Sequence, residues 1–427
     1  MRTLGYRRPE WRHFVASWHR SASARPLERD VARIIGQVRR GGDRALVLLT
    51  ARFDGVRLSR ATLRVPAAEL RALARRAEPA LVAALRDMAR RIEAFHREQK
   101  GRGFRLRHRD GSFLEEIVRP LDSAGLYVPG GAGAYPSSIL MSAIPARVAG
   151  VHRLVVATPP RALETNPAVA AALVLFGLEG DVIRIGGAQA IAALAYGTES
   201  IAPVAKIVGP GSARVAEAKR QVRGVCEVDA ETGPSEIVIL ADADADPSEV
   251  AIDLLAQAEH GSGDERAVLV TPSRALASVV QRQLTAGLKL VSNRRATRTA
   301  LRRHGRIVLV NDVDEGVAAV NALAPEHVEV LTRRARAVAQ RIVAGAVFAG
   351  RFSPVAVGDY GVGPNHVLPT RGAARRSSPL SVRDFERRQS LVCLTARGLR
   401  RVARSVEVVA RAEGFAAHAA SVALRTS

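Results

Sequence analysis

Short apolar runs alternate with stretches of helical periodicity from Arg153 to Phe348, and this alternation restricts the fold more than any other feature of the chain. A first series places strands over Arg153–Thr158, Val182–Gly186 and Lys206–Val208. Its helices cover Asn166–Gly177, Ala188–Tyr196 and Ala213–Val222. In a second series Glu236–Leu240, Val268–Thr271, Ile307–Val310, Val328–Leu331 and Ala346–Phe348 read as strands with helices between them. Strand-helix alternation at this spacing builds right-handed βαβ units around parallel sheets. The expected fold class is therefore α/β, with two Rossmann-like parallel-sheet lobes that suggest an old duplication. Only 4% of the chain is aromatic against 47% hydrophobic, so the core must come from Ala, Val, Leu and Ile.

The flanks read differently. Residues 1–28 form a poorly periodic polar arm with Trp11, Trp18 and Pro26. Val31–Phe53 and Ala67–Glu98 have apolar residues at helical spacing, with Gly41-Gly42 breaking the first, and Arg105–Arg119 alternates around Asp110-Gly111 as a hairpin would. The tail from about Asp384 reads as helical. The expected division is an arm (1–28), a first lobe (29–124 with 236–380), a second lobe (125–235) and a small helical tail (381–427).

Charge and cysteine content narrow the function classes. A formal charge of +23 invites a nucleic-acid reading. However, the basic residues are spread along the whole chain, and only Lys100, Lys206, Lys219 and Lys289 are lysines. That is an arginine bias of composition rather than a binding face, and no basic run is interleaved with aromatics. No apolar run reaches the ~20 residues of a membrane span. Cys226 and Cys393 stand alone, which fits a reducing cytoplasm and neither a disulfide framework nor a thiolate metal site.

The chemistry gathers around four histidines. Gln257 and His260 stand three apart at the end of an apolar helix, on one face, where an imidazole and an amide oxygen could be half of a metal site. Taken alone, a histidine closing a helix is the better reading. Glu326-His327 places a carboxylate beside an imidazole in a loop between a helix and a strand, as separate acid and base groups of one reaction. Gly358–His366 is a glycine-rich loop presenting Asp359 and His366, and Glu413 and His418 close the chain. Each has a local explanation as a cap, a solvated pair or a loop aspartate bonded to its own backbone; four such accidents in this order are improbable. Three further loops, Gly125–Gly131, Gly186–Ala190 and Gly209–Gly211, sit at expected strand-to-helix turns, but none is a GxGxxG fingerprint.

The blocks GLYVPGG at 125, GGAQAIAALAYGTES at 186, GPGSARVAEAKRQV at 209, GPSE at 233, DLLAQAEH at 253, APEH at 324, GDYGVGPNHVLPT at 358 and the ending AEGFAAH resemble the L-histidinol dehydrogenase family over essentially the whole length. The resemblance implies an aldehyde-dehydrogenase-like scaffold and a zinc enzyme that oxidises L-histidinol through histidinal to L-histidine, the last steps of histidine biosynthesis, reducing two NAD. It implies one zinc per subunit, held by Gln257, His260 and Asp359 of one chain and His418 of its partner in a homodimer with shared active sites. His327 would be the base for the alcohol and Glu326 the activator of water. Ser235, His366 and partner-contributed Glu413 would join these groups around the substrate, with Tyr127, Gln189 and Ser212 at the NAD site.

Three positions depart from the family pattern: Ser212 replaces the usual Asn, Glu231-Thr232 replaces Pro-Ala, and the loop Gly261–Arg266 is about one residue longer and lacks a proline. The alternatives are a paralogue oxidising another amino alcohol or a sulfonated diol on the same scaffold, and a basic non-catalytic protein. The complete set of ligands and the Glu-His pair speak against the second.

Overall fold

The computed structural model describes residues 1–20, 25–130, 135–164, 166–230 and 233–427. Its strands are β1 (Arg2–Gly5), β2 (Phe104–Arg107), β3 (Phe113–Pro120), β4 (Ser123–Tyr127), β5 (Arg153–Ala157), β6 (Val182–Ile183) and β7 (Lys206–Val208). They continue with β8 (Glu227–Val228), β9 (Glu236–Ala241), β10 (Arg266–Thr271), β11 (Arg306–Leu309), β12 (His327–Leu331), β13 (Ala346–Ala349) and β14 (Glu386–Cys393). Two sheets are wholly parallel, with orders β6-β5-β4-β7-β8 and β1-β11-β10-β9-β12-β13.

Both sheets carry the doubly wound pattern. Counting β4 to β8 along the chain, the first sheet has the spatial order 3-2-1-4-5; β9 to β13 repeat it in the second, with β1 added at the edge. Strand order thus reverses between β4 and β7, and again between β9 and β12. These switch points are where such sheets open a crevice. The sequence explains why the sheets are buried on both faces: β9 reads Glu-Ile-Val-Ile-Leu-Ala and every residue of it is buried. In the five-stranded sheet Ala124, Leu126, Val156 and Val182 enter one core, while Tyr127, Val155, Ala157 and Ile183 enter the other. That is the period of two a pleated strand imposes.

The flanks correct three expectations. The segment grouped above with residues 236–380 sends its helices elsewhere. Helix Arg25–Asp54 packs Val31, Ile34 and Val38 against Ile183 and Ile191, and helix Pro79–Glu98 packs Leu85, Met88 and Ile92 against the other face of the same five-stranded sheet. Amphipathic helices follow the nearest uncovered apolar face, which sequence adjacency does not reveal. Second, Gly125–Tyr127 lie inside β4, so the glycine-rich turn begins only after it. Third, the tail is not helical from Asp384. Glu386–Cys393 is β14, paired antiparallel with the β2–β3 hairpin, whose turn at Gly111 (φ +86°) falls where alternation placed it.

Helices Ala396–Ala412 and Ala416–Ala423 follow. The first segment of the arm supplies β1 and a helix (Pro9–Trp18) whose Trp11, Phe14 and Trp18 join the core over Val238 and Leu240. Gly42 (φ +48°) kinks helix Arg25–Asp54, and the Glu199 carboxylate accepts the freed Asp43 N–H at 2.7 Å. No described helix is long and apolar enough to cross a membrane.

Candidate active site

The amino edge of the six-stranded sheet, at its switch point, positions the catalytic candidates. β9 and β12 are neighbours and pair His327 with Ile237. Glu326 therefore sits just ahead of β12, across from Ser235 and Glu236 just at the start of β9. Its Oε2 accepts both the Ser235 hydroxyl and the Glu236 N–H, each at 2.7 Å. Glu326 is 7% exposed, and its Oε1 makes no hydrogen bond to the described residues. Burial pushes its carboxyl up to about 7, against the pull of the Ser235 and Glu236 bonds and of His260. This carboxyl can hold or release a proton near neutrality.

His327 is 3% exposed. Its Nδ1 lies 3.0 Å from the Glu236 carbonyl, which can only accept, so Nδ1 carries the proton and Nε2 the lone pair. Burial holds the imidazole below its ordinary pKa, with Asp359 opposing, so it is neutral at pH 7. Nε2 stands 3.9 Å from Asp359 Oδ1.

The same device recurs twice. His260 Nδ1 is 2.9 Å from the Gln257 carbonyl and His366 Nδ1 is 3.0 Å from the Asp359 carbonyl. All three rings thus donate through Nδ1 to backbone and keep Nε2 lone pairs for other work. Here the structure also refines the helix end. The helix stops at Ala258, and His260 lies beyond it, bonding a carbonyl of the last turn while Gly261 (φ +101°) turns the chain away. Helices in this layer run back from strand carboxyl ends, so the end of Pro247–Ala258 returns to the amino edge where Glu326 waits. Asp359 closes the short helix Val355–Asp359, whose Gly358 admits no side chain, since a Cβ there would meet the Phe348 ring at 2.4 Å.

Gln257, His260 and Asp359 offer amide, imidazole and carboxylate donors. Gln257 is 3% exposed, and its side-chain Nε2 approaches His260 Nδ1 at 3.4 Å, but that nitrogen already donates to the Gln257 carbonyl and cannot accept, so the amide is left without a good partner among the described residues. An amide buried with so little to bond to, beside a free Nε2, suits a cation of borderline softness such as zinc. Among the described residues no three His, Cys, Asp or Glu side chains form a metal cluster by themselves. His418 and Glu413 are exposed on the tail, and no bond joins either to this cluster; the His418 ring lies against Phe415, centroids 5.2 Å apart.

The five-stranded sheet presents its carboxyl edge, and all three glycine-rich loops fall there, after β4, β6 and β7. Tyr127 and Gln189 are buried, and the Tyr127 hydroxyl accepts the Gly187 N–H at 3.0 Å. Tyr127 thus ties two of the loops together. Ser212 is exposed at the head of helix Ala213–Val222, and its side chain makes no capping bond. A phosphate-bearing ligand fits such a helix start at a switch point. Gly131, the last residue of the first glycine-rich motif, and Glu231-Thr232 lie outside the described residues.

Sequence reasoning overlooked Glu236 as a partner of the site. It is fully buried, its backbone bonds both Glu326 and His327, and its carboxylate accepts the Arg371 N–H at 3.0 Å and faces Arg266 at 3.2 Å. The available signal was a charged residue opening an otherwise apolar central strand. Glu329, inside β12, gives the same signal. It lies beside Asp253 one turn before Gln257, and one of its oxygens has no hydrogen-bond partner.

Residues 19–426 match the family model described as histidinol dehydrogenase. A histidinol dehydrogenase of Gluconobacter oxydans is 46% identical over 407 residues, covering 95% of this chain and 94% of that one. One of Rhodospirillum rubrum is 47% identical over 405 residues, covering 94% and 93%. The crystal structure of histidinol dehydrogenase from Elizabethkingia anophelis superposes with a TM-score of 0.93 at 31% identity, covering 100% of this chain and 98% of the other.

Proposed function

The chain belongs to the histidinol dehydrogenase family, and from that premise we propose that it oxidises L-histidinol through histidinal to L-histidine, with zinc and NAD, in a homodimer with shared active sites. The observation that supports this reading is the proximity of Gln257, His260, Glu326, His327, Asp359 and His366 at one sheet edge, with three ring Nδ1 atoms bonded to backbone carbonyls.

The reaction divides between two bases. In the first oxidation the His327 Nε2 takes the hydroxyl proton as the carbinol carbon gives up hydride. In the second, Glu326 takes a proton from water as its oxygen attacks the aldehyde carbon, and the hydrate formed loses a second hydride to give the carboxylate. Ser235 and the Glu236 N–H hold Glu326 by one oxygen, leaving Oε1 to reach a water. NAD supplies the hydride acceptor for both steps. Gln257, His260 and Asp359, with His418 of the partner, would hold zinc, which supplies a fixed anchor for the substrate amine and imidazole.

The dimer is supported by the tail. Helix Ala396–Ala412 leaves Val402, Val406 and Val409 exposed at spacings of four and three, an apolar stripe with no cover in one chain. Two unpaired cysteines suit the cytoplasm.

The test is NAD reduction by the purified protein on L-histidinol. Two NADH per histidinol, abolished by a chelator and restored by zinc, is the expected result. Turnover indifferent to chelation overturns the metal assignment, and no turnover on histidinol overturns the substrate.

A further inference from the structure

A buried ion pair on the dinucleotide side has no place in the chemistry above. Lys219, in the last turn of helix Ala213–Val222, and Asp229, just past β8, have side chains only 6% and 2% exposed, with Nζ and Oδ1 2.6 Å apart. Both reach the same residue. Asp229 Oδ2 accepts the Gly209 N–H at 2.7 Å, and Lys219 Nζ donates to the Gly209 carbonyl. Gly209 opens the loop that leads from β7 to Ser212. Its φ of +115° excludes it from any regular ladder, and a Cβ there would lie 2.2 Å from the Tyr127 carbonyl oxygen.

Two polar groups of one backbone residue, out of ladder register and out of water, must find partners or cost stability. A hydroxyl or an amide would satisfy them. Taking a lysine and an aspartate out of water is costly, so ions are an expensive way to do it unless firmness of the loop matters. What the pair does add is a cross-brace. It ties the last turn of the helix and the segment after β8 to the loop that leaves β7, all on one side of the switch point, and so fixes where the first turn of that helix and Ser212 stand beside β4. Through the Tyr127 hydroxyl the bracing extends to the Gly187 loop.

We propose that Lys219 and Asp229 are positioning residues for NAD: they lock Gly209 so that the start of helix Ala213–Val222 is preorganised for the dinucleotide before it binds. The inference rests on the reading of this edge as the NAD site. Ser212 makes no capping bond at this helix start, so the loop before it depends on the brace for its rigidity.

The test uses full-length protein, with NADH binding followed by its fluorescence, separately from turnover, and folding followed by melting curves. Lys219→Gln and Asp229→Asn should each weaken NADH binding and raise the KM for NAD on the order of tenfold, leaving the KM for histidinol within about twofold. The double variant should be no weaker than the poorer single one, because the brace is already lost. Folded variants that melt earlier but bind NADH as tightly as the unsubstituted protein would reduce the pair to a structural role and overturn the proposal. If the variants do not fold, hydrogen exchange on the unsubstituted protein decides. A Gly209 amide already protected without NADH supports preorganisation, and one that becomes protected only with NADH contradicts it. Should the unsubstituted protein fail to bind NADH while protection at Gly209 is normal, the NAD-site reading falls, and this inference with it.

Discussion

Replacing Glu326 by glutamine should split the two oxidations. A glutamine Oε1 in the place of Glu326 Oε2 still accepts the Ser235 hydroxyl and the Glu236 N–H, both at 2.7 Å in the parent protein, so the side chain stays where it is. Burial already pushes the parent carboxyl to about 7, so a neutral group there adds no desolvation cost, and the melting temperature should barely move. What disappears is the ability to take a proton from water. Loss of a positioned general base costs roughly 10²–10⁴ in rate, about 3–5 kcal/mol of barrier. His327 keeps its Glu236 carbonyl bond and its free Nε2, so alcohol oxidation should lose much less. The assay compares histidinol and histidinal as separate substrates and counts NADH per histidinol in a single turnover. The expected outcome is about one NADH and bound or released aldehyde. Equal losses on both substrates, or two NADH at undiminished rate on histidinal, would refute the division of labour between the two residues.

Two other outcomes follow from buried groups. Glu329 and Asp253 share a site where burial, then mutual repulsion for Glu329, raise the pair's affinity for a proton above that of ordinary carboxylic acids. The folded state then holds protons that the unfolded chain releases, so stability should fall as pH rises from the ordinary carboxylate range towards mild alkali. Melting curves across that range should flatten in Glu329→Gln, and a slope unchanged by the substitution contradicts the shared proton. Gly358→Ala drives a methyl into the Phe348 ring and shifts Asp359; zinc per subunit, measured by elemental analysis, should drop while the fold melts within a few degrees of the parent. Undiminished zinc content would mean that Asp359 is not held by this contact.

How much of this could be read without coordinates depends on the range of the signal. Parallel strands advertise themselves locally: β9, β10 and β12 are apolar runs bounded by turns, and their order follows from short right-handed connections. The partners of amphipathic helices do not, which is why grouping residues 29–124 with 236–380 differs from the packing of helices Arg25–Asp54 and Pro79–Glu98 on the five-stranded sheet. β14 escaped notice because its pairing partner, β3, lies more than 260 residues earlier in sequence, and Glu-Arg-Arg-Gln carries no strand alternation of its own. Motifs pointed to the candidate residues, since Gln257, His260 and Glu326-His327 are unusual in apolar surroundings. Their protonation was not legible. Which ring nitrogen is free is decided by the carbonyls of Glu236, Gln257 and Asp359, and those meet the rings only after folding. Glu236 and the Lys219–Asp229 brace were missed for a related reason: charges on buried elements look like surface charges until their partners are seen.

That each site is assembled from two chains is tested most directly by mixing two dead proteins. Gln257→Ala damages the ligand set on the cluster side and His418→Ala damages it on the tail side. After unfolding and refolding together, about half of the dimers are mixed, and each mixed dimer has one site carrying both substitutions and one carrying neither. Activity should therefore return to about a quarter of the parent's per total sites, with neither variant recovering when refolded alone. Mixed dimers that form, as shown by a mass tag on one variant, and remain inactive would place His418 in the same chain's site or outside it altogether.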